Sequence, residues 1–148
     1  MIPVVVLAVL FVVLSLAGQL GVPFVGGWWT SLRLALAGMF LLTASAHWGK
    51  RRSDLIRMVP PVFPKPELLV ILTGILEITG ALGLLHPYTA RAAALGLCVL
   101  LFCLFPANVR AARKKMTIGG RPVPTLLPRM AIQVVFIAVT LAVVFGAD

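Results

Sequence analysis

Glu67 to Leu85 reads ELLVILTGILEITGALGLL, 19 residues of apolar sequence interrupted near the middle by one carboxylate, Glu77. At about 1.5 Å per residue a helix of that length matches the hydrocarbon thickness of a bilayer. A charge at that depth costs roughly 2.5–3.5 kcal/mol on insertion scales, so it is expected to face protein or water and to have a partner. One turn to either side of Glu77 stand Thr73, Gly74, Gly80 and Ala81, all small. Small residues let a neighbouring helix come close enough to enclose the carboxylate. A buried structural ion pair and a site for a proton, an ion or a ligand both fit this pattern.

Composition agrees with a membrane setting. The chain has 148 residues, 61% of them hydrophobic and 11% charged, with a mean hydropathy of +1.09. The net charge of +9 would suggest nucleic acid in a soluble protein. Here the cations flank apolar spans, a pattern that belongs to membrane topology and excludes nucleic acid as a partner. Cys98 and Cys103 are five residues apart, about 140° around a helix, so they point to different sides and read as unpaired small core residues.

Working outward, the chain divides into five spans at about 2–20, 28–47, 67–85, 90–110 and 125–145, forming one integral membrane domain over 1–148. The first has no basic n-region and is long for a signal-peptide core, so it reads as a retained helix. The second begins at Trp28 and Trp29 and ends near Trp48, where interfacial aromatics belong. On it Arg33, Ala37, Phe40, Ala44 and His47 recur at helical spacing. Residues 49–66 form a basic loop in which Pro60, Pro61, Pro64 and Pro66 favour extended backbone. His86 to Thr89 makes a tight turn. Pro106, in FPAN (Phe105 to Asn108), is expected to kink or end the fourth span and free carbonyls, with Asn108 as a nearby donor. Residues 111–124 form a second basic loop, with Gly119 and Gly120 at a turn.

Of the 13 Lys and Arg residues only Arg33 and Arg91 lie outside the two basic loops and their flanking helix ends. The positive-inside rule then places the N-terminus and both basic loops in the cytoplasm and the C-terminus, at Asp148, outside. His47 and His86 fall at opposite membrane surfaces, so they are not joint ligands of one haem or metal. Arg33 and Glu77 come out at similar depths, differing by roughly 4–5 Å, and an Arg33–Glu77 ion pair is expected. At the cytoplasmic end His47, Trp48, Pro60, Pro61, Pro106 and Asn108 are expected to converge as a cleft for a quinone, a lipid or a peptide.

On these residues the chain resembles the DoxX family of small bacterial membrane proteins. RLALAGMFLLTASAHW (Arg33 to Trp48) is similar to that family's first helix, Met58 to Asn108 to its middle, and PTLLPRMAIQVVFIAV (Pro124 to Val139) to its last helix. Here Ala44 to Trp48 reads ASAHW, without the family's usual glycine and with Trp48 in place of its phenylalanine. The resemblance implies an all-α membrane protein: a four-helix transmembrane DoxX-like bundle plus one additional N-terminal transmembrane helix. It also implies a bacterial inner membrane location. Relatives have been linked to thiosulfate:quinone oxidoreduction, to methylamine utilisation, to oxidoreductase complexes and to receptor assembly.

No nucleophile, metal cluster or nucleotide loop is recognisable. The first reading is therefore a non-catalytic subunit or assembly factor of a membrane complex, with the bilayer, other membrane or peripheral proteins, or a second copy as partners. The alternative is a quinone- or lipid-binding protein. A small transporter or channel is a third reading and would need an oligomer to form a pore.

Overall fold

The computed structural model describes residues 2–146; Met1, Ala147 and Asp148, and with them the expectation for the C-terminus, lie outside the described residues. Helix α1 spans Ile2–Gln19, α2 Trp28–Ser45, α3 Arg52–Met58, α4 Pro66–Leu85, α5 Pro87–Arg113 and α6 Leu126–Gly146. A 3-10 turn at Pro23–Val25 joins the first two helices. A two-residue hairpin, β1 Thr117–Ile118 with β2 Arg121–Pro122, joins the last two.

Proline begins α4 and α5, where the missing N–H costs nothing and the fixed φ suits the first turn. The sharp reversal between them is a single residue, His86. Thr89 Oγ1 donates to the Gly83 carbonyl (2.7 Å), satisfying an otherwise orphaned acceptor at the end of α4. Helix α5 runs through Pro106 to Arg113, so that proline does not end the helix as one of the two expected outcomes required. Residues 49–66 also depart from expectation, since α3 forms ahead of the first proline. Asp54 sits in its first turn and Arg57 in its last, both favourable to the helix dipole. At the hairpin, Gly119 and Gly120 have φ of 58° and 75°, a backbone that glycine adopts without penalty.

Four helices are long and apolar enough to cross a membrane: α1, α4, α5 and α6. The second expected span, α2, is not among them, because Trp28, Trp29, Thr30, Ser31, Arg33 and Thr43 dilute its 18 residues. Yet α2 contributes Ala35, Leu36, Ala37, Met39, Phe40 and Ala44 to the buried interior. It packs between α1 and α4, while α4 packs on α5 and α5 on α6. A helix facing protein on two sides needs less hydropathy than one facing lipid. Helix α1 is the reverse case, apolar apart from Ser15 and Gln19 and with only Leu7 buried. It lies along α2, with Leu10 over Gly38 and Phe11 edge-on to Trp28 at 4.5 Å. The fold is that of an all-α, multi-pass membrane protein.

The two basic connections are docked on each other. Asp54 Oδ2 accepts the Gly119 N–H at 2.8 Å, its other oxygen meets Arg57, and the Arg110 Nε–H donates to the Arg57 carbonyl at 3.4 Å. The Gly119 amide, with Arg57 second, holds the Asp54 carboxyl below its ordinary range. A carboxylate depressed by folding stabilises the folded form above its unfolded pKa, and that contribution disappears as pH falls through the lowered value. The docking is therefore expected to persist at neutral and mildly acid pH and to release below about pH 3.9. The Gly119 amide resonance should report this as a titration, which Asp54→Ala should abolish.

Candidate functional site

The site is assembled where the end of α2 meets the middle of α4. Gly74 makes the approach possible. A Cβ there would stand 2.7 Å from both His47 Cβ and Trp48 Cη2, closer than carbon atoms pack. His47 thus lies against the α4 backbone, only 7% exposed. Its Nδ1 is 2.6 Å from the Val70 carbonyl. A carbonyl can only accept, so Nδ1 carries a proton and donates. The other ring nitrogen, Nε2, then faces Glu77 Oε1 at 3.6 Å. Thr43, one turn before His47, donates to Glu77 Oε2 at 2.9 Å. Thr73, one turn before Glu77, donates to the Leu69 carbonyl at 2.9 Å and lies 3.5 Å from His47 Nδ1.

With Nδ1 committed, the Nε2–Oε1 contact has a defined protonation requirement. A bare nitrogen lone pair against a carboxylate would be repulsive. One proton, carried either by the imidazole or by the carboxyl, removes that repulsion and makes the pair neutral overall. The cluster therefore holds one proton between two heteroatoms inside the bundle, with Glu77 itself only 5% exposed.

The expected Arg33–Glu77 contact is absent among the described residues. Thr43 is level with Glu77, and Arg33 lies ten residues further along α2, about 15 Å up the axis. The two groups would share a depth only if the outer ends of the two helices were level. The seat of His47 and Trp48 on Gly74 instead slides α2 relative to α4, so Arg33 comes level with the turn at His86. Its Nε is buried without a hydrogen-bond partner.

The expected cleft also divides. His47 and the exposed Trp48 belong to the α2–α4 contact, whereas Asn108 belongs to α5 and α6. Asn108 Nδ2 donates to Gln133 Oε1 (2.9 Å), and Asn108 Oδ1 accepts from Arg129 (2.7 Å). Gln133 Nε2 donates to the Leu101 carbonyl at 2.7 Å, just ahead of Pro106. Pro106 lacks the N–H that would reach the Phe102 carbonyl, whereas Gln133 serves the adjacent Leu101 carbonyl, and Asn108 orients Gln133 instead of capping a freed carbonyl itself. The α5–α6 crevice beside Asn108 has no room for a water molecule. Pro61 and Pro106 are exposed and Pro60 half-buried, and none of them lines it. Because it caps a carbonyl and saturates Asn108, Gln133→Leu is expected to cost about 1–3 kcal/mol, read as a lowered unfolding temperature in detergent.

Of the two cysteines, Cys98 is buried and Cys103 exposed, and both are free. A separate depression of about 350 Å³ lies outside both clusters, at the start of α3 and α4.

A buried, internally bonded ionisable pair within long apolar helices defines a multi-pass membrane protein with a polar core. The chain belongs to the family described as Domain of unknown function (DUF8561), which it matches over residues 36–144. That range takes in both polar clusters and leaves α1 outside. No curated protein and no solved structure matches the chain.

Proposed function

We propose that this protein is a non-catalytic integral membrane subunit or assembly factor, built as a four-helix unit of α2, α4, α5 and α6 with α1 as an added fifth span. The observation that carries the subunit reading is the closure of the His47–Glu77 cluster. Both ring nitrogens and both carboxylate oxygens are engaged within the protein. A group spent on its neighbours stabilises a scaffold more readily than it serves chemistry.

Reading α2 as a span is supported by its antiparallel register with α4 and by the docking of the two basic loops, which five spans put on the same side. The positive-inside rule then assigns that side, and the N-terminus, to the cytoplasm, with the C-terminus outside. The DoxX-like resemblance belongs to this proposal: it directs the reading to a bacterial inner membrane and a redox or oxidative-stress complex. Native mass spectrometry of the protein gently extracted from its own membrane tests the reading. A retained protein partner is the expected result. Retention of only a molecule of quinone mass would overturn it.

That second outcome corresponds to a quinone-handling reading, favoured by the single proton held between His47 and Glu77 near the membrane-surface residue Trp48. It requires that a redox-active quinone bind and that His47→Ala alter the binding. A wild-type protein that binds none removes it.

A further inference from the structure

The depression of about 350 Å³ is lined by Gly49, Lys50, Arg52, Ser53, Ile56 and Glu67. Its size is at the lower end of the range for sites that enclose small ligands, roughly 300–1,000 Å³. Two cations and a hydroxyl share the lining with one carboxylate. Among the described residues the ion pairs are His47–Glu77 and Arg57–Asp54, so neither Lys50 nor Arg52 is neutralised by Glu67. Arg52 Nε is buried and lacks a hydrogen-bond partner. The site therefore presents unspent donors and an unspent acceptor a short distance apart.

Its location restricts the ligand. Gly49 follows Trp48, half exposed at the end of α2, and Glu67 stands in the first turn of α4, where the apolar sequence begins. Immediately beyond Glu67, Leu68 and Leu72 are exposed on one side of α4. A polar cup at the level where an exposed apolar stretch of helix begins suits a molecule with a charged head and a hydrocarbon tail. Glu67 opposes a head that is purely anionic, and Lys50 with Arg52 opposes one that is purely cationic.

We propose that this depression binds the headgroup of an amine-bearing phospholipid of the ethanolamine class. Its phosphodiester is held by Arg52, Lys50 and Ser53, its ammonium by Glu67, and its acyl chains run along Leu68 and Leu72. Arginine supplies the planar, directional donors and lysine a point charge. The site rests on α2 and α4 being membrane spans and is independent of the subunit role.

The test is delipidation of the detergent-solubilised full chain, followed by add-back of phosphatidylethanolamine or phosphatidylglycerol with identical acyl chains. Retained lipid is counted by native mass spectrometry. Wild type should retain the ethanolamine lipid about tenfold better than the glycerol lipid. Arg52→Gln and Lys50→Gln should each weaken its retention at an unchanged unfolding temperature. Glu67→Gln should erase the preference by admitting phosphatidylglycerol. Equal retention of both lipids by wild type, or a preference that survives Glu67→Gln, would overturn the proposal. Displacement of the lipid by free phosphoethanolamine at equal concentration would also overturn it, since the ligand would then be a soluble phosphate. A protein that fails as a complex subunit yet retains the ethanolamine lipid would separate the two readings.

Discussion

Glu77→Ala is expected to lower the unfolding free energy in detergent by about 3–5 kcal/mol, among the largest effects of any single substitution in this chain. The change removes the partner of a buried imidazole at 3.6 Å and the acceptor of Thr43 at 2.9 Å. His47 Nδ1 stays tied to the Val70 carbonyl, so the ring cannot turn away to find another partner. Glu77→Gln should cost much less, about 1 kcal/mol, because the amide oxygen can accept from Thr43 while its N–H donates to a neutral Nε2. His47→Ala should lose stability comparably to Glu77→Ala. The double variant should fall short of the sum by about 0.5–3 kcal/mol, as coupled residues do. Chemical or thermal unfolding in detergent supplies all these values, and additive single losses would show that the pair is not an energetic unit.

Gly74→Ala is expected to cost about 1–3 kcal/mol, although it adds a single methyl group to a helix. That methyl would be 2.7 Å from both His47 Cβ and Trp48 Cη2 and 2.8 Å from His47 Cγ. The far end of Trp48 can give way, but His47 Cβ is fixed to the α2 backbone, so the two helices must part. Separation would lengthen the Glu77 contacts as well. Gly96→Ala is the internal control, since a Cβ there meets nothing within 4 Å. It should be neutral or stabilising by about 0.5–1 kcal/mol through helix propensity. Equal melting temperatures for the two alanine variants would mean that Gly74 is not where the helices are pinned.

The same glycine explains which parts of the site were legible in the sequence. Glu77 stood out as a lone carboxylate with small residues one turn away, and the structure buries it. Its partner is His47 and not Arg33, because the outer ends of α2 and α4 are not level, as helix lengths alone would make them. The sequence does carry a local signal for His47. Thr43 precedes His47 by four residues and Thr73 precedes Glu77 by four, so each helix presents a hydroxyl and an ionisable group on one face. Gln133 shares one face of α6 with Arg129 and Thr140, but its service to the Leu101 carbonyl depends on α6 facing the stretch of α5 just ahead of Pro106.

By itself the sequence determined the apolar helices, their boundaries to within a few residues, the basic loops between them and the presence of one intramembrane carboxylate. These follow from local composition, because hydropathy, proline and helix period act over a few turns. Only the tertiary structure decided that α2 is a central helix despite its modest hydropathy, that α3 precedes the prolines, and that Glu77 meets His47 while Arg33 does not. Those outcomes depend on how far one helix slides along another. That offset is set by contacts such as His47 and Trp48 on Gly74, between residues 26 or more positions apart in the chain, which no local pattern encodes.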